Sequence, residues 1–189
     1  MLFTGKGDDG TTQVFGACDQ RMSKSSAVAE ALGTLDELNS FLGVIKVHEK
    51  ASGVTVPVIT GSRRTIAELV GEVQHNLFIV QAEVAGADKH ISLDKVREME
   101  GVINATETEL PPIKSFFASG GTELAALLDF SRTLSRRAER RVVGVVEEGK
   151  VTLSKNTLAY LNRLSSLLYA LARQVNHKSG ITEEPPTYR

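Results

Sequence analysis

An arginine-rich segment, RTLSRRAERR at residues 132–141, carries five guanidinium groups and one carboxylate. Four of these side chains lie on one side of a helix that turns by about 100° per residue: Arg132, Arg136, Glu139 and Arg140. Like charges one turn apart destabilise an isolated helix by about 0.2–0.5 kcal/mol per pair, whereas guanidinium groups bind phosphate oxygens in bidentate pairs. Two interpretations follow. The segment is either a solvated surface whose charge Glu139 offsets, or a triphosphate site in which Glu139 orients the guanidinium groups.

A second polar strip lies beside the last apolar stripe of the chain, where Asn162, Tyr169 and Arg173 project together. Asn is poor inside helices but donates and accepts hydrogen bonds at once, as recognition of a ribose or base requires; the alternative is an ordinary surface Asn. On the first helix, Asn39 falls inside the apolar arc and Asp36 at its border. A polar group there needs a partner, either structural or at a subunit contact.

The N-terminal segment, residues 4–24, is rich in Gly, Thr and Asp and has no helical or strand period, which predicts a loop or arm. Successive amides in Gly-rich turns bind anions. Hydroxyl and ammonium groups add to that capacity: Thr4, Thr11, Thr12, Lys6 and Lys24. Asp8 or Asp9 is a candidate ligand for Mg²⁺ that arrives with phosphates. The segment lacks the G-x-x-x-x-G-K-[ST] spacing of a P-loop, and the alternative is a mobile terminal arm.

Apolar residues at three- and four-residue steps predict the helices that must position these groups. The periodic stretches are 28–45 after Ser25 or Ser26, 66–84 before Gly86, 96–103 between Ser92 and Pro111, 124–145 before Gly149, and 161–175. The sequence therefore predicts an all-α, up-and-down five-helix bundle without strands. We expect one domain over residues 1–189, with an N-terminal loop at 1–24, the bundle at 25–178 and a tail at 179–189.

Composition excludes several classes of protein. Of the 189 residues 41% are hydrophobic, and the formal net charge is -1, so no global field recruits nucleic acid or an anionic membrane. The single cysteine, Cys18, excludes an internal disulfide and any site of several thiolates, as is typical of a reducing cytosol. No stretch approaches the roughly 20 apolar residues of a membrane span. We therefore expect a cytoplasmic protein that binds neither nucleic acid nor membrane.

In order and spacing, seven segments resemble the PduO-type ATP:cob(I)alamin adenosyltransferases. They are FTGKGDDGTT at 3–12, SK at 23–24, EALGTLDELNSFLG at 30–43, QHNLFIVQAEVAG at 74–86, LPPIKSFFASGG at 110–121, SRTLSRRAER at 131–140 and YLNRLSSLLYALAR at 160–173. The resemblance implies an enzyme that transfers the adenosyl group of ATP to cob(I)alamin. It also implies a homotrimer with active sites between subunits, and an N-terminal loop that orders over ATP.

The resemblance also implies site residues. The ATP site comprises Thr4, Gly5, Lys6, Gly7, Asp8, Gly10, Thr12, Gln13, Lys24, Arg136, Arg137, Glu139, Arg140 and Asn162, with Mg²⁺ bound mainly through the phosphates. Cobalamin contacts Asp36, Phe116 and Arg132, and these three act in catalysis with Arg136. In that family, the carboxylate matched by Asp36 pairs with the arginine matched by Arg132 across the subunit boundary. Phe116 matches the aromatic residue that crowds the lower face of cobalamin and keeps cobalt without its lower ligand.

The expected chemistry needs no catalytic base, because cobalt(I) is itself a strong nucleophile; the protein must orient ATP and stabilise the departing triphosphate. Two other functions stay open at this stage. One is a non-catalytic corrinoid and ATP carrier or sensor of the same fold, and the other is a helical scaffold without ligand chemistry. A flavin-type reductase and an adenosylcobalamin-dependent enzyme are the implied protein partners.

Overall fold

A Ser or Thr stands immediately before each of the helices in the computed structural model, which describes residues 2–14, 21–58 and 61–188. The helices are α1 (Ala27–Val47), α2 (Ile66–Val84), α3 (Leu93–Glu107), α4 (Glu123–Glu147) and α5 (Lys155–Lys178). The capping hydroxyls accept a hydrogen bond from the amide three residues on: Ser26, Thr65, Ser92, Thr122 and Ser154. Each cap satisfies an otherwise unpaired amide of the first turn. The five predicted helices and the predicted caps Ser26 and Ser92 are confirmed.

Helices that follow one another in sequence run in opposite directions. At one end of the bundle, the end of α4 meets the start of α1 through Arg141 and Glu30. The buried Glu83 at the end of α2 accepts a hydrogen bond from the amide of Ser154, which caps α5, at 2.6 Å. At the other end, Asn176 near the end of α5 accepts a hydrogen bond from the amide of Thr122 before α4, at 3.0 Å. The up-and-down arrangement follows from these contacts.

The core is a continuous seam of aliphatic side chains from all five helices. Helix α4 packs against both α1 and α5, while α2 packs on α1 and α3 on α5. The fully buried residues include Leu35, Leu38, Leu42, Leu77, Val80, Leu128, Leu161, Leu164 and Leu168. These residues belong to the periodic stripes seen in the sequence, since positions three and four apart share one face of a helix. The central place of α4 is what gives it two different neighbours for its polar side chains.

The prediction of an all-α fold without strands was wrong in part. Two antiparallel hairpins are present: β1 (Thr11–Gln13) with β2 (Arg21–Ser23), and β3 (Thr55–Pro57) with β4 (Arg63–Thr65). A 3₁₀ turn at Glu49–Ser52 precedes the second hairpin. Strands of three residues are too short to show an alternating pattern, so the first hairpin, inside the predicted loop, carries no strand signal in its sequence.

The same arginine–threonine clamp holds each hairpin. Arg21 donates from Nε to the Thr11 hydroxyl at 2.6 Å and from Nη2 to the Thr11 carbonyl at 3.0 Å. Arg63 makes the matching pair of bonds to Thr55, at 3.0 and 2.9 Å. In both cases the arginine reaches diagonally across the ladder, a distance that long side chains span.

Among the described helices, none is both long and apolar enough to cross a membrane.

Candidate functional site

Five arginines form a ridge along α4: Arg132, Arg136, Arg137, Arg140 and Arg141. On the side that faces α1, Arg137 forms an ion pair with Glu37. Arg141 lies 3.6 Å (Nε to Oε1) from Glu30. Both pairs are largely exposed, and such pairs contribute about 0–1 kcal/mol each. Their consequence is electrostatic, because they neutralise two of the five guanidinium groups within the chain.

On the side that faces α5, Arg132 is half-buried and bound to Asp129. Its Nε and Nη2 donate to the two carboxylate oxygens at 2.6 and 3.4 Å, and the Ser119 hydroxyl donates to the same carboxylate at 2.6 Å. Burial raises the pKa of Asp129, but the hydrogen bonds from Arg132 and Ser119 outweigh it and hold that pKa below its usual value. The Arg132 guanidinium also lies 6.0 Å from the centre of the Tyr169 ring. Arg132 is therefore held in one orientation.

The two remaining ridge arginines, Arg136 and Arg140, stand one helical turn apart and are exposed. Neither has a hydrogen bond or ion pair within the described ranges 2–14, 21–58 and 61–188. Glu139 does not orient them, which differs from the expectation: it accepts a hydrogen bond from Asn162 Nδ2 at 2.9 Å, because α5 packs on that side of α4. The ridge therefore keeps two adjacent guanidinium groups available for an anion.

A cavity of about 670 Å³ opens between α4, α5 and the segment 111–121, which we call the Phe116 loop. Three predicted site residues line it together: Phe116, Arg132 and Arg136. Phe116 is 81% exposed, so its ring is free to contact a ligand. Apolar groups complete the wall, including Ile113, Phe117, Ala125, Tyr169 and Ala172. An apolar cavity of this size with a few convergent charged groups suits a small-molecule ligand.

The Phe116 loop is fastened to α5 at its C-terminal end. Asn176 donates to the Gly120 carbonyl at 3.0 Å and accepts from the Thr122 amide at 3.0 Å. Gly121 has a φ of 91°, and a Cβ atom there would lie 2.3 Å from Asn176 Oδ1. Glycine is required for both reasons, the left-handed backbone and the lack of space. These contacts fix where the loop joins α4.

The N-terminal hairpin gathers the predicted ATP residues of that segment into one unit. Lys24 donates from Nζ to the Gly7 carbonyl at 2.8 Å, and Arg21 donates to the Lys6 carbonyl. Gly5 and Gly10 have φ values of 68° and 79°, which turn the chain between them. Three other predicted residues belong to the same unit: Thr4, Thr12 and Gln13. Residues 15–20 between the two strands, Cys18 among them, lie outside the described residues.

The two acidic residues of the hairpin differ in availability. Asp9 Oδ1 accepts hydrogen bonds from the Thr11 amide at 2.9 Å and hydroxyl at 2.7 Å. These bonds, with a smaller contribution from Arg21, lower the pKa of Asp9. The Asp8 side chain is exposed and has no such partner within residues 2–14 and 21–58. Nowhere in the described part of the chain do three or more His, Cys, Asp and Glu side chains gather as a metal site would require.

Within one chain, the described part of the N-terminal hairpin is not bonded to the arginine ridge. No hydrogen bond or ion pair links residues 2–14 or 21–24 to the ridge arginines among the contacts of the described residues. Asp36 is exposed and unpaired there, and the partner of Arg132 is Asp129. Asn39, by contrast, is buried inside the bundle. Its backbone carbonyl accepts from Gln74 Nε2 at 3.0 Å, while its side-chain Oδ1 has no hydrogen-bond partner among the described residues.

Sequence reasoning missed Asp129 and Arg21, and it misplaced Arg173. Asp129 stands three residues before Arg132, a spacing that pairs side chains on a helix and was the available signal. Arg21 had none, because its role depends on the register of the hairpin. Arg173 was expected at the edge of the apolar stripe with Asn162 and Tyr169. It does lie 6.0 Å from the centre of the Tyr169 ring, but it is only 4% exposed.

Comparison with known proteins places this geometry in a family context. A family model described as cobalamin adenosyltransferase matches residues 2–175. A corrinoid adenosyltransferase of Bacillus subtilis is 38% identical over 184 residues, 95% of this chain and 89% of the relative. The corrinoid adenosyltransferase PduO of Citrobacter freundii is 36% identical over 93% of this chain, which spans 50% of that relative. The corrinoid adenosyltransferase MMAB of Homo sapiens is 32% identical over 97% of this chain and 72% of its own length.

Solved structures agree with the fold. A variant of the PduO-type ATP:corrinoid adenosyltransferase from Lactobacillus reuteri, complexed with cobalamin and ATP, superposes with a TM-score of 0.86 at 27% identity, covering 100% of this chain and 97% of that one. A second variant of that protein, complexed with ATP, superposes with a TM-score of 0.84 at 27% identity, covering 98% of this chain and 100% of that one.

Proposed function

Because the chain belongs to the cobalamin adenosyltransferase family, we propose that it transfers the 5′-deoxyadenosyl group of ATP to cob(I)alamin, giving adenosylcobalamin and triphosphate. It is thus a transferase that binds ATP and a corrinoid. The observation that carries the proposal is the pair of unpaired guanidinium groups, Arg136 and Arg140, beside a cavity whose wall carries Phe116. A polyanion relieves the repulsion between the two charges, and the cavity has room for part of a corrinoid.

The reaction balances without a catalytic base. The electron pair on cobalt(I) attacks the 5′ carbon of ATP, the cobalt–carbon bond forms, and the carbon–oxygen bond to the triphosphate breaks. The triphosphate leaves with the bonding electrons, so negative charge develops on its terminal ester oxygen. The chain contributes orientation of the 5′ carbon and fixed positive charge near the leaving group, and such preorganised charge is typically the largest catalytic contribution.

For the triphosphate, the proposed ligands are Arg136 and Arg140 with Lys24 of the hairpin. Lys24 lies against the Gly7 carbonyl, and Gly-rich turns such as those around it are segments whose backbone amides bind phosphate oxygens. The rest of the proposed ATP site is Thr4, Gly5, Lys6, Gly7, Asp8, Gly10, Thr12, Gln13, Arg137, Glu139 and Asn162. Mg²⁺ would enter with the phosphates and neutralise part of their charge, and Asp8 is the exposed carboxylate best suited to it.

For the corrinoid, the proposed contacts are Phe116 and Arg132 in the cavity and Asp36 from α1. Arg132 is already oriented by Asp129, so it presents its remaining donors at low entropic cost. The exposed Phe116 ring is proposed to crowd the lower face of the corrin and to keep cobalt without its lower ligand, which eases reduction to cobalt(I). A flavin-type reductase and an adenosylcobalamin-dependent enzyme remain the proposed partners upstream and downstream.

We further propose that a homotrimer completes the site. In one chain no hydrogen bond or ion pair joins the described part of the hairpin to the ridge, and Asp36 has no partner among the described residues. The α1–α4 face also carries an aromatic pair whose ring centres are 5.1 Å apart, the half-buried Phe41 and the exposed Phe130. A second copy that covers this face would bury the rings and bring Asp36 to a neighbouring Arg132. Light scattering after size exclusion measures the assembly; Phe130→Glu should release monomers, and a monomeric wild-type protein would contradict this proposal.

The test of function is a turnover assay with chemically reduced cobalamin and MgATP. We expect equal amounts of adenosylcobalamin, measured by its light-sensitive absorbance, and of inorganic triphosphate, measured by ion chromatography, over many turnovers. A spectral change of cobalamin without triphosphate would instead indicate a carrier or sensor. No change of either kind would leave only the scaffold interpretation.

A further inference from the structure

We infer that the C-terminal tail positions the Phe116 loop through an ion pair between Arg173 and Glu183. The inference rests on the proposed function in one respect, that the Phe116 loop forms the corrinoid site. It assigns a role to residues that follow α5 and that lie beyond the residues matched by the family model, which end at 175. Arg173 and Glu183 are positioning residues, because they act through the loop.

The first observation is the burial of Arg173 at the base of the cavity. Its Nε donates to both carboxylate oxygens of Glu183, at 2.8 and 3.1 Å, and the Glu183 side chain is itself mostly buried. A buried charge without a partner is strongly unfavourable, so each member of this pair requires the other. Helix α5 and the tail are therefore joined at this point.

The second observation is that the same guanidinium touches the loop. Nη2 of Arg173 donates to the Pro111 carbonyl at 2.9 Å, and the guanidinium carbon lies 5.3 Å from the centre of the Phe117 ring. A cation over an aromatic face is attracted to it, more so when both are shielded from water. Arg173 thus contacts the start of the Phe116 loop and the residue next to Phe116.

The third observation is a direct bond from the tail to the loop. The Ala118 amide donates to the Glu184 carbonyl at 2.9 Å, one residue beyond the ion pair. With the Asn176 bond to Gly120, the loop is held before and after Phe116, while Phe116 and its neighbours Lys114 and Ser115 stay exposed. A loop without helix or strand has little order of its own, so these anchors determine where the Phe116 ring stands.

The fourth observation is that the pair separates two cavities. Beside the 670 Å³ cavity lies a second one of about 550 Å³, and both are lined by Lys114, Phe117, Arg173 and Glu183. Loss of the ion pair would remove this partition and leave the loop free to move toward the second cavity. The consequence falls on the corrinoid side of the site, because Arg136 alone of the proposed ATP residues is among the described residues that line either cavity.

The experiment compares Glu183→Gln with Glu184→Gln in the full chain. Glu183→Gln keeps the size of the side chain but removes its charge, whereas Glu184 contributes only its backbone carbonyl and its side chain is exposed, which makes it a matched control. Hydrogen exchange followed by mass spectrometry reads the loop without ligand. We expect peptides covering 112–120 to exchange roughly tenfold faster in Glu183→Gln, since a buried group left unsatisfied weakens the local structure by about that factor or more, and at the wild-type rate in Glu184→Gln.

Steady-state kinetics then distinguishes a displaced Phe116 loop from a general loss of active enzyme. In Glu183→Gln the KM for cob(I)alamin should rise roughly tenfold, for the same reason, while the KM for ATP stays within about twofold. The fraction of cob(II)alamin with the spectrum of the form without a lower ligand should fall in parallel. Wild-type exchange in the loop of Glu183→Gln, or equal acceleration in Glu184→Gln, would overturn the inference. If the wild-type protein makes no adenosylcobalamin, the proposed function fails, and the exchange comparison still decides whether the tail anchors the loop.

Where Glu183→Gln does not accumulate as folded protein, Arg173→Lys provides a second variant. Lysine keeps the charge beside Glu183 but lacks the planar fork that also reaches the Pro111 carbonyl. We expect faster exchange in 112–120 with an unchanged melting temperature to within a few degrees. Unchanged exchange in this variant would overturn the assignment of Arg173 as the link to the loop.

Discussion

Arginines stand along both sides of α4, but they differ in whether a carboxylate of the same chain neutralises them. On the α1 side, Arg137 and Arg141 are neutralised by glutamates of the neighbouring helix. On the α5 side and along the outer edge, Arg132 is oriented by an aspartate of its own helix, while Arg136 and Arg140 have no partner among the described residues. The difference shows that arginine content alone does not mark an anion site. What marks it is the charge left over after each guanidinium has met its local carboxylate.

The largest expected effect separates the unpaired from the paired arginines. Arg136→Ala should lower kcat/KM for adenosyl transfer by roughly 100-fold, because it removes a preorganised donor to the departing triphosphate. Arg141→Ala, the matched control on the α1 side, should change it by less than about threefold, since an exposed pair contributes little. Steady-state kinetics at fixed cob(I)alamin with varied MgATP measures both. Equal losses of kcat/KM in the two variants would contradict the proposal that unpaired and paired arginines of α4 differ in catalysis.

The next effect tests whether orientation of Arg132 matters. Asp129→Asn removes the charge that holds Arg132 while keeping the side-chain shape. We expect the free energy of unfolding to fall by about 1.5–3 kcal/mol, the scale of a hydrogen bond to a charged group, and the KM for cob(I)alamin to rise by roughly tenfold. Urea unfolding and the same kinetic assay report the two quantities. A variant that loses stability but keeps its KM for cob(I)alamin would show that Asp129 acts in folding alone.

The pH dependence of Tm tests whether the charge of Asp129 is what holds Arg132, with a smaller expected effect. The pKa of Asp129 is lower in the folded chain than its usual value of 3.8, so ionised Asp129 contributes stability that is fully present above that value. The contribution is lost as pH falls through the folded pKa. The difference in Tm between the wild-type protein and Asp129→Asn should therefore be constant from about pH 5 to 7 and shrink below pH 3.8. A difference that persists undiminished at lower pH would mean that the carboxylate charge is not its source.

The smallest effect is expected from Glu37→Gln. This change frees Arg137 on the α1 side and should lower the free energy of unfolding by no more than about 1 kcal/mol, because the pair is exposed to solvent. It also leaves a further guanidinium of the ridge unpaired, so the affinity for MgATP should stay equal or improve slightly. Isothermal calorimetry at two salt concentrations tests this. Weaker MgATP binding would indicate that Glu37 itself belongs to the nucleotide site.

The five helices and the caps Ser26 and Ser92 followed from the sequence because periodicity and N-cap preference are local properties. The glutamate partners of Arg137 and Arg141 did not, since they depend on how α1 registers against α4. The site shared by Phe116, Arg132 and Arg136 was predictable in part. The family resemblance implied that these residues act together, whereas the walls of their cavity depend on how the helices and the Phe116 loop pack. Arg173 was misplaced since a polar tail, TEEPP at 182–186, carried no signal that it would fold back and bury an arginine.

Gly121 has a consequence for how this sequence is able to vary. The position lies at the joint between the Phe116 loop and α4, where even a methyl group would collide with Asn176. Random mutagenesis with selection for folded protein should therefore return glycine there almost without exception. A smaller side chain at residue 176 would remove the collision but not the φ of 91°, which still favours glycine, so double replacements should recover little of the lost tolerance.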